Sequence, residues 1–328
     1  MGYQQLTISE REVIMIEHGN GVGVSEIARQ LQRSVSTISR ELARNDRGRG
    51  YRAHVAEERA QRLRMQERRE PILSQGWRRI YVDEHLREYW SPQQIAGRLR
   101  RDYPLDPTKW VSHETIYRYI LRAAQQGIDY EPYLRQGHRR HRYGYRGNHR
   151  FKRIRGFKKI EERPVVVSER SRLGDWESDT LRGSGRTASG IATHVERKTR
   201  YLVLAKLDTR QAATYNEATR RAFASQPALF VKTMTVDNGM EFSLFAQLEH
   251  ALQTQVYFAT PYHAWERGQN ENTNGLLRQF FPKSADLTAV TQDELRRVEA
   301  RLNHRPRKCL MYRTPAEALK AELVALGY

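Results

Sequence analysis

The sequence has very little cysteine and no long hydrophobic segment. Its 328 residues include a single cysteine, Cys309, which excludes an intrachain disulfide and a cysteine-based zinc site and is typical of a reducing compartment. No apolar run approaches the roughly 20 residues that a membrane span needs, and the polar N-terminus does not resemble a signal peptide. We therefore expect a cytoplasmic protein with no membrane partner.

Acidic residues are scarce relative to basic ones. The chain has 57 Lys and Arg against 38 Asp and Glu, a formal net charge of +19. Residues 131 to 160 alone hold eleven Lys or Arg and one acid, a net charge of +10. Such an excess indicates a polyanionic partner. Its concentration in one stretch predicts a basic linker over residues 131–163.

Aromatic and basic side chains alternate in this linker, which has too few apolar residues to form a core. We expect it to neutralise DNA phosphates, so that binding weakens steeply with salt. The alternative is a solubilising linker. The cations expected to contact phosphates are Arg139, Arg140, Arg142, Arg146, Arg150, Lys152 and Arg153.

Two short helices joined by a tight turn are predicted within a first domain, residues 1–50. Ser25 and Ser34 are candidate N-caps, and Val35, Ile38 and Leu42 mark the buried side of the second helix. This arrangement is typical of a DNA-binding helix-turn-helix, although an ordinary helical hairpin would share it. The outward side chains expected to contact bases and phosphates are Ser36, Thr37, Arg40 and Arg44.

A weak internal repeat predicts a second helix-turn-helix. Residues 91 to 99 repeat the pattern of residues 25 to 31, and residues 112 to 120 echo residues 34 to 42. We therefore interpret residues 51–130 as a helical connector followed by this second unit. His113, Thr115 and Arg118 are its candidate DNA contacts.

From Pro164 the pattern changes to alternating strands and helices. Three strands in hairpin order come first, and helix and strand then alternate. The pattern predicts an α/β domain with a mixed sheet over residues 164–328. The whole chain is thus expected to be multidomain, with all-α helix-turn-helix units followed by an α/β domain.

Three carboxylates are candidates for one site in this domain. Asp237 directly follows a short apolar strand, and Glu271 lies on the polar side of a predicted helix over residues 268–281. A third acid is needed to hold two hard divalent cations close together. Asp175, Glu177 and Asp179 share one face of a strand, so spacing alone does not choose among them. The two strands expected to follow in the same sheet favour Asp179.

Four ordered blocks resemble a known enzyme family. WESDTLRG, TVDNGMEF, FATPYHAWERGQNENTNGLLRQFFPK and LNHRPRKCLMYRTPAEAL are similar to the catalytic core of bacterial insertion-sequence transposases of family thirty. These are DDE transposases with a ribonuclease-H-like, retroviral-integrase-like fold. The resemblance runs over about residues 166 to 325, and residues 5 to 45 also resemble that family's first helix-turn-helix.

The resemblance implies a catalytic and metal-binding triad of Asp179, Asp237 and Glu271. It also implies two Mg²⁺ ions, with Mn²⁺ as a substitute. Ser178 stands where a glycine is common in such sequences, and Asp175 stands where a histidine or another polar residue is expected.

Further polar residues near Glu271 are candidates for orienting water or phosphate. This auxiliary set is His263, Arg267, Asn272 and Arg278. A packed aromatic turn is an equally good interpretation for His263. Closer to the C-terminus, Arg305 and Arg307 are expected either to grip phosphate or to end a solvated helix.

These observations predict a nucleoid-associated bacterial DNA transposase. We expect it to bind the terminal inverted repeats of its element, cleave DNA and transfer the 3′ end to target DNA. Its partners would be double-stranded DNA and at least one further copy of itself, with no small-molecule substrate. The alternatives are a non-catalytic helix-turn-helix regulator, which would not need the acidic triad, and a hydrolytic nuclease, which would gain little from two DNA-reading units.

Overall fold

The computed structural model describes residues 5–46, 48, 50–65, 72–135, 156–184, 187–224, 231–261 and 263–327, apart from the side chains at 64, 65, 264 and 265. The chain divides after Pro71 into two compact units, Met1–Pro71 and Ile72–Tyr328. Among the described residues, no helix is both long and apolar enough to cross a membrane.

The described residues of the first unit form four helices. They are α1 (Ile8–Gly19), α2 (Val24–Gln30), α3 (Val35–Asn45) and α4 (Ala53–Met65). Its core includes Ile14, Ile27 and Ile38, each with no exposed surface. The predicted helix-turn-helix, now α2 and α3, is confirmed. Ser34 caps α3 as expected by accepting a hydrogen bond from the amide of Thr37.

Two details of the first unit differ from the sequence-based expectation. Gly23, not Ser25, is the N-cap of α2, so no side chain caps that helix. Val35 is 49% exposed, whereas the buried residues of α3 are Ile38, Glu41 and Leu42. The buried acid Glu41 accounts for this shift of face, because it accepts hydrogen bonds from Arg11 Nε (2.9 Å) and the Tyr51 hydroxyl (3.1 Å).

The second unit contains a helical segment followed by a sheet with its helices. The helices are α5 (Trp77–Arg87), α6 (Pro92–Asp102), α7 (His113–Gln125), α8 (Val165–Glu169), α9 (Ala212–Ala224), α10 (Phe245–Leu252), α11 (Gly268–Leu277), α12 (Gln292–Asn303) and α13 (Pro315–Ala325). The strands are β1 (Lys158–Lys159), β2 (Asp175–Arg182), β3 (Gly190–Glu196), β4 (Leu202–Leu207), β5 (Thr233–Val236) and β6 (Gln255–Phe258).

The six strands form one mixed sheet in the order β1-β6-β5-β2-β3-β4. Strands β2, β3 and β4 pair antiparallel, as their short connections require, whereas β2–β5, β5–β6 and β6–β1 are parallel. The predicted hairpin order and mixed sheet are confirmed. Strand β2 therefore lies where the antiparallel half of the sheet meets its parallel half.

Both faces of the sheet are covered by apolar side chains. Trp176 and Met234 belong to a core cluster that includes Tyr215 and Phe223 from α9. Leu181 belongs to a second cluster, on the opposite face, with residues from α11 and α12. Because side chains alternate along a strand, odd-numbered residues of β2 face α11.

Helix α6, which together with α7 is predicted to form the second helix-turn-helix, packs on the C-terminal segment of the same unit. Arg98 forms two hydrogen bonds of 2.7 Å with Glu317, and Gln94 donates to the Pro306 carbonyl (2.6 Å). A Cβ at Gly97 would lie 2.2 Å from the Tyr312 ring, so a side chain at this position would separate the two surfaces. The close contact therefore depends on glycine at position 97.

One buried ion pair lies beneath the α11 face of the sheet. Glu177 and Arg197 have side chains that are 1% and 5% exposed and pair directly. Glu177 also accepts a hydrogen bond from the backbone amide of Asn270 (3.1 Å), and Arg197 Nε donates to the Val167 carbonyl (3.0 Å). Since both charges are enclosed, losing either partner leaves the other uncompensated.

Replacing Arg197 with Met should therefore destabilise the second unit by about 3–5 kcal/mol. Urea unfolding followed by circular dichroism would measure this change. The matched control is Arg221→Met, which removes an arginine that is 74% exposed from its pair with Glu217 and should leave the unfolding midpoint unchanged. Equal effects of the two substitutions would contradict the assigned role of Arg197.

Candidate active site

Two aspartates lie level with each other on the central parallel strands, Asp179 within β2 and Asp237 directly after β5. The β2–β5 register pairs Asp175 with Thr233 and Glu177 with Thr235. Continuing this register by two residues brings Asp179 opposite Asp237. Asp179 lies two residues after Glu177, and Asp237 lies two residues after Thr235, the register partner of Glu177. Both side chains therefore lie on the face of the sheet that α11 covers.

A guanidinium connects the two carboxylates. Arg267, the residue before α11, places Nη2 3.1 Å from Asp237 Oδ2 and Nη1 3.7 Å from Asp179 Oδ2. Its Nη1 also donates to the Ser178 carbonyl (3.3 Å). Arg267 thus holds together two acids that would otherwise repel each other.

Asp179 is the more enclosed of the pair, with a side chain that is 23% exposed against 39% for Asp237. It accepts hydrogen bonds from the Asn274 side-chain amide (3.0 Å) and from the Thr180 backbone (2.8 Å). Burial raises the pKa of Asp179 to about 6; the Arg267 charge opposes this shift and the Asp237 charge adds to it.

The turn after Asp237 brings two carboxylates close to Gly239. The Gly239 amide donates to Asp237 Oδ1 (2.8 Å). A Cβ at Gly239 would lie 2.5 Å from Glu241 Oε2 and 2.9 Å from Asp237 Oδ1. A side chain at residue 239 would therefore displace these carboxylates.

The structure separates the three acids of β2 that spacing left equivalent. Asp175 binds Arg172 through two hydrogen bonds (2.9 and 3.0 Å) and accepts from Thr233 Oγ1 (2.8 Å). Glu177 is committed to Arg197. Asp179 is the acid of this strand that reaches Asp237, which supports the choice made from the sequence.

Glu271 is exposed on α11, with its side chain outside the Asp179–Asp237 pair. Within the described ranges, no group of three or more Asp, Glu, His or Cys side chains is close enough to hold a metal ion. However, Arg267 and Asn274 lie four residues before and three residues after Glu271, hence on its side of the helix, and both contact Asp179. Glu271 as the third member of the triad stays a prediction.

The auxiliary residues have different surroundings. Arg267 is at the centre of the site, whereas exposed Asn272 accepts a hydrogen bond from Arg135 (3.0 Å). His263 contacts Glu266 (3.3 Å), and Arg278 donates to the Phe281 carbonyl (3.3 Å). Arg267 therefore contacts both aspartates. The contacts given above for Asn272, His263 and Arg278 are with other residues.

Two further site residues were missed in the sequence analysis. Asn274 holds Asp179, and its spacing of three from Glu271 was the available signal. Glu241 is 7% exposed, lies 3.5 Å from Arg182, and adds to the raised pKa of Asp179. It follows Asp237 by four residues within the quoted block TVDNGMEF.

Ser178, the departure from glycine noted above, also has a structural partner. Its hydroxyl lies 2.8 Å from Nδ1 of the fully buried His194. Burial lowers the pKa of His194 to about 3, so this histidine is neutral at physiological pH. Ser178 therefore satisfies a polar group in the core beside the site.

The donor set of the site suits a hard divalent cation. Asp179 and Asp237 supply carboxylate oxygens, which Mg²⁺ and Mn²⁺ prefer. Asn274 adds a buried Oδ1 atom that has no hydrogen-bond partner among the described residues. An incoming cation would replace the charge of Arg267 between the aspartates, so these residues fit the expected metal.

The predicted DNA-contact residues divide into three groups. On α3, Ser36, Arg40 and Arg44 are exposed and Thr37 is half-buried; on α7, His113 and Arg118 are exposed and Thr115 is half-buried. The third group, in the basic linker, is outside the described residues: Arg139, Arg140, Arg142, Arg146, Arg150, Lys152 and Arg153.

One of the two sequence-based interpretations of Arg305 and Arg307 is wrong. The two side chains are 2% and 9% exposed, so they do not end a solvated helix. Their expected contact with phosphate stays a prediction. The prolines and turns around them, which fold the segment back on α6 and α12, were not evident from charge alone.

Comparisons with known families agree with this architecture. The family described as a helix-turn-helix domain matches residues 2–45, and the family described as an integrase core domain matches residues 170–264. In fold, a chain of the simian T-cell lymphotropic virus intasome matches with a TM-score of 0.37 and 16% identity, over 53% of this chain and 60% of that chain.

Full-length relatives extend the match. The transposase InsI of insertion sequence element IS30A from Escherichia coli is 40% identical over 325 residues, covering 96% of this chain and 83% of that protein. The transposase of IS4351 from Bacteroides fragilis is 38% identical over 87% of this chain and 86% of its own length. The transposase of IS1086 from Cupriavidus metallidurans is 37% identical, with 97% and 94% coverage.

The mixed sheet, the integrase-core match and the paired aspartates define a polynucleotidyl transferase of the integrase-core class. Within this class, the chain belongs to the IS30 family of insertion-sequence transposases.

The raised pKa of Asp179 makes the stability of the metal-free protein depend on pH. The pKa of about 6 in the folded protein exceeds the ordinary aspartate pKa of 3.8, so protonation of Asp179 favours folding. This contribution is complete below about pH 4 and is lost as the pH rises through about 6. Between these limits the wild type should lose about 1–3 kcal/mol more stability than Asp179→Asn. Urea unfolding in EDTA at a series of pH values tests this, and parallel pH profiles would refute it.

Proposed function

We propose that this transposase binds the terminal inverted repeats of its element, cleaves DNA there, and transfers the 3′ end to target DNA. The observation that carries the proposal is the level placement of Asp179 and Asp237 beneath α11, the helix that presents Glu271. Such a site acts on a phosphodiester by positioning and by charge, because this reaction needs little covalent help from the protein.

In this proposal, Asp179, Asp237 and Glu271 hold two Mg²⁺ ions, which Mn²⁺ replaces. When bound, the cations supply positive charge at the attacking and leaving oxygens. Asn274 fixes the orientation of Asp179 through its 3.0 Å hydrogen bond, and the Gly239 amide fixes Asp237. The same carboxylates serve cleavage and strand transfer, since both steps displace an oxygen from phosphorus.

Recognition of the two DNA substrates is assigned to residues other than those that carry this chemistry. Helix α3 presents exposed Arg40 and Arg44, and α7 presents exposed His113 and Arg118. Each recognition helix reads only a few base pairs, so two of them suit a long terminal sequence. Since two ends must be joined, we propose that at least two copies act together.

Two alternatives are less well supported. A non-catalytic regulator would not require Arg267 to hold two aspartates together on the central strands, with a third acid on the adjacent helix. A hydrolytic nuclease on the same fold would cut without joining. The experiment below distinguishes both from a transposase.

Glu271→Gln should abolish cleavage and joining while DNA binding persists. Losing one carboxylate that holds a cation should reduce either rate by about 10³-fold or more. The measurement uses labelled duplexes that carry the element's ends, with Mg²⁺ and then Mn²⁺. Asp293→Asn is the matched control, because this acid is 76% exposed and pairs only with Arg296 among the contacts described.

The outcomes separate the three functions. Joined products from wild type and from the control, but not from Glu271→Gln, support the transposase and place the third ligand. Cleaved but unjoined DNA from wild type would favour the nuclease, and binding without cleavage in either metal would favour the regulator. Full activity of Glu271→Gln would remove this residue from the triad.

Arg40→Ala should weaken binding of the cognate end by about 1–3 kcal/mol if α3 contacts bases. Fluorescence anisotropy with cognate and scrambled duplexes measures the change. The control is Arg62→Ala, an exposed arginine on α4 of the same unit. An equal loss for both duplexes would assign Arg40 to phosphate contact instead of base readout.

A further inference from the structure

The two paired aspartates use their carboxylate oxygens in the same way. The Thr180 backbone amide donates to Asp179 Oδ1 at 2.8 Å. The Gly239 backbone amide donates to Asp237 Oδ1 at the same distance. In both residues Oδ2 is the oxygen that pairs with Arg267. The backbone therefore fixes one oxygen of each aspartate, and the other oxygen of each is directed at a single guanidinium.

The guanidinium of Arg267 lies between the two Oδ2 atoms, 3.1 Å from Asp237 through Nη2 and 3.7 Å from Asp179 through Nη1. Asp179 Oδ2 also accepts from the Asn274 side chain (3.0 Å), which leaves this oxygen one further acceptor position. A divalent cation that joined both aspartates would bind the same two oxygens. Arg267 and such a cation therefore require the same ligand atoms.

Arg267 compensates its acids less completely than the other arginines paired with acids of β2. Glu177 pairs directly with Arg197, one acid with one arginine. Asp175 likewise binds Arg172, through two hydrogen bonds of 2.9 and 3.0 Å. Arg267 instead shares one positive charge between two carboxylates, at longer distances. A divalent cation would supply the second positive charge that the arginine lacks.

The place of Arg267 in the fold leaves its side chain able to withdraw. The residue is the N-cap of α11 and precedes the first residue of that helix, Gly268. Its side chain is 17% exposed, so the guanidinium borders on solvent. Apart from the two aspartates, its Nη1 donates to the Ser178 carbonyl at 3.3 Å. Withdrawal would therefore break contacts of the side chain while the helix itself stays in place.

The arginine and a bound cation would also repel each other. A cation held about 2.1 Å from Asp237 Oδ2 would lie no more than about 5 Å from Arg267 Nη2. At such a distance two positive charges in a partly enclosed site interact by several kcal/mol. The side chain of Arg267 and a cation between the aspartates are therefore alternatives, and one of them excludes the other.

We propose that Arg267 competes with a divalent cation for Asp179 Oδ2 and Asp237 Oδ2, and that its side chain leaves the aspartates when the cation binds. Arg267 thereby lowers the metal affinity of the site and determines the concentration of Mg²⁺ or Mn²⁺ at which the site fills. This inference rests on the proposed function, because it takes the metal from that proposal. It adds a residue that opposes metal binding to the carboxylates that favour it.

The test measures metal binding directly, without DNA and without catalysis. Mn²⁺ is titrated into the full-length protein at neutral pH, and the free ion is counted by its electron paramagnetic resonance signal. Arg267→Gln should bind Mn²⁺ at least about tenfold more tightly than wild type, because a positive charge is removed from between the ligands. Mg²⁺, measured by its competition against Mn²⁺, should show a gain in the same direction.

Arg182→Gln is the matched control for loss of a nearby positive charge. Arg182 follows Asp179 by three residues, its side chain is 63% exposed, and it pairs with Glu241 at 3.5 Å. Because solvent screens an exposed charge, this substitution should change the affinity for Mn²⁺ by less than about threefold. Equal gains for Arg182→Gln and Arg267→Gln would assign the effect to the general field of the protein and overturn the proposal.

Two further measurements cover a loss of folding. In EDTA, Arg267→Gln should melt at a lower temperature than wild type, since the two carboxylates lose the charge between them. One fixed concentration of Mn²⁺ should then raise its melting temperature more than that of wild type. If Arg267→Gln does not fold, wild type carries the test, because its crystal structure with Mn²⁺ should show Arg267 away from both Oδ2 atoms.

Unchanged or weaker Mn²⁺ binding by folded Arg267→Gln would overturn the proposal. A Mn²⁺ ion bound between the aspartates with Arg267 still in contact with both would equally overturn it. If neither wild type nor Arg267→Gln binds Mn²⁺ or Mg²⁺, this inference and the metal-dependent chemistry of the proposed function both fail. If Arg267→Gln binds Mn²⁺ more tightly but wild type does not cleave DNA, the proposed function fails and the competition at the aspartates stands.

Discussion

The parallel pairing of β2 with β5 is the constraint on which the active site depends. This pairing sets residues 58 positions apart in sequence level with one another, so Asp179, within β2, and Asp237, directly after β5, lie side by side on the same face. Two adjacent carboxylates repel, and Arg267 compensates their charge from the start of α11. The position of that helix over the sheet, fixed by its buried leucines, is therefore coupled to the electrostatics of the site.

Charge compensation divides the second unit into three regions. In the interior, Glu177 and Arg197 neutralise each other, and Asp175 is held by Arg172. On the central strands, Asp179 and Asp237 share the guanidinium of Arg267, which leaves a site that favours added positive charge. Arg305 and Arg307, by contrast, are enclosed and donate hydrogen bonds to neutral oxygens.

Much of the fold was predictable because its signals are local. The cap at Ser34, the burial of Ile38 and Leu42 and the hairpin order of the first strands depend on neighbours close in the chain, and each was confirmed. Asp237 was a strong candidate for the same reason, since it follows a short apolar strand and precedes a glycine turn. The contact of Asn274 with Asp179 was missed because no periodicity encodes a contact between α11 and β2. Glu241 was missed because its effect on Asp179 depends on the pairing of β5 with β2.

The sequence by itself determined the order of the elements and the family, and it supplied the candidate acids. Period-two and period-3.6 patterns and ordered motifs are properties of the chain that need no partner. The tertiary structure decided which acid of β2 lies beside Asp237, that Arg267 bridges the two aspartates, and that Arg305 and Arg307 are enclosed. Those outcomes depend on strand register and helix packing, where residues far apart in the chain compete for the same charged neighbours.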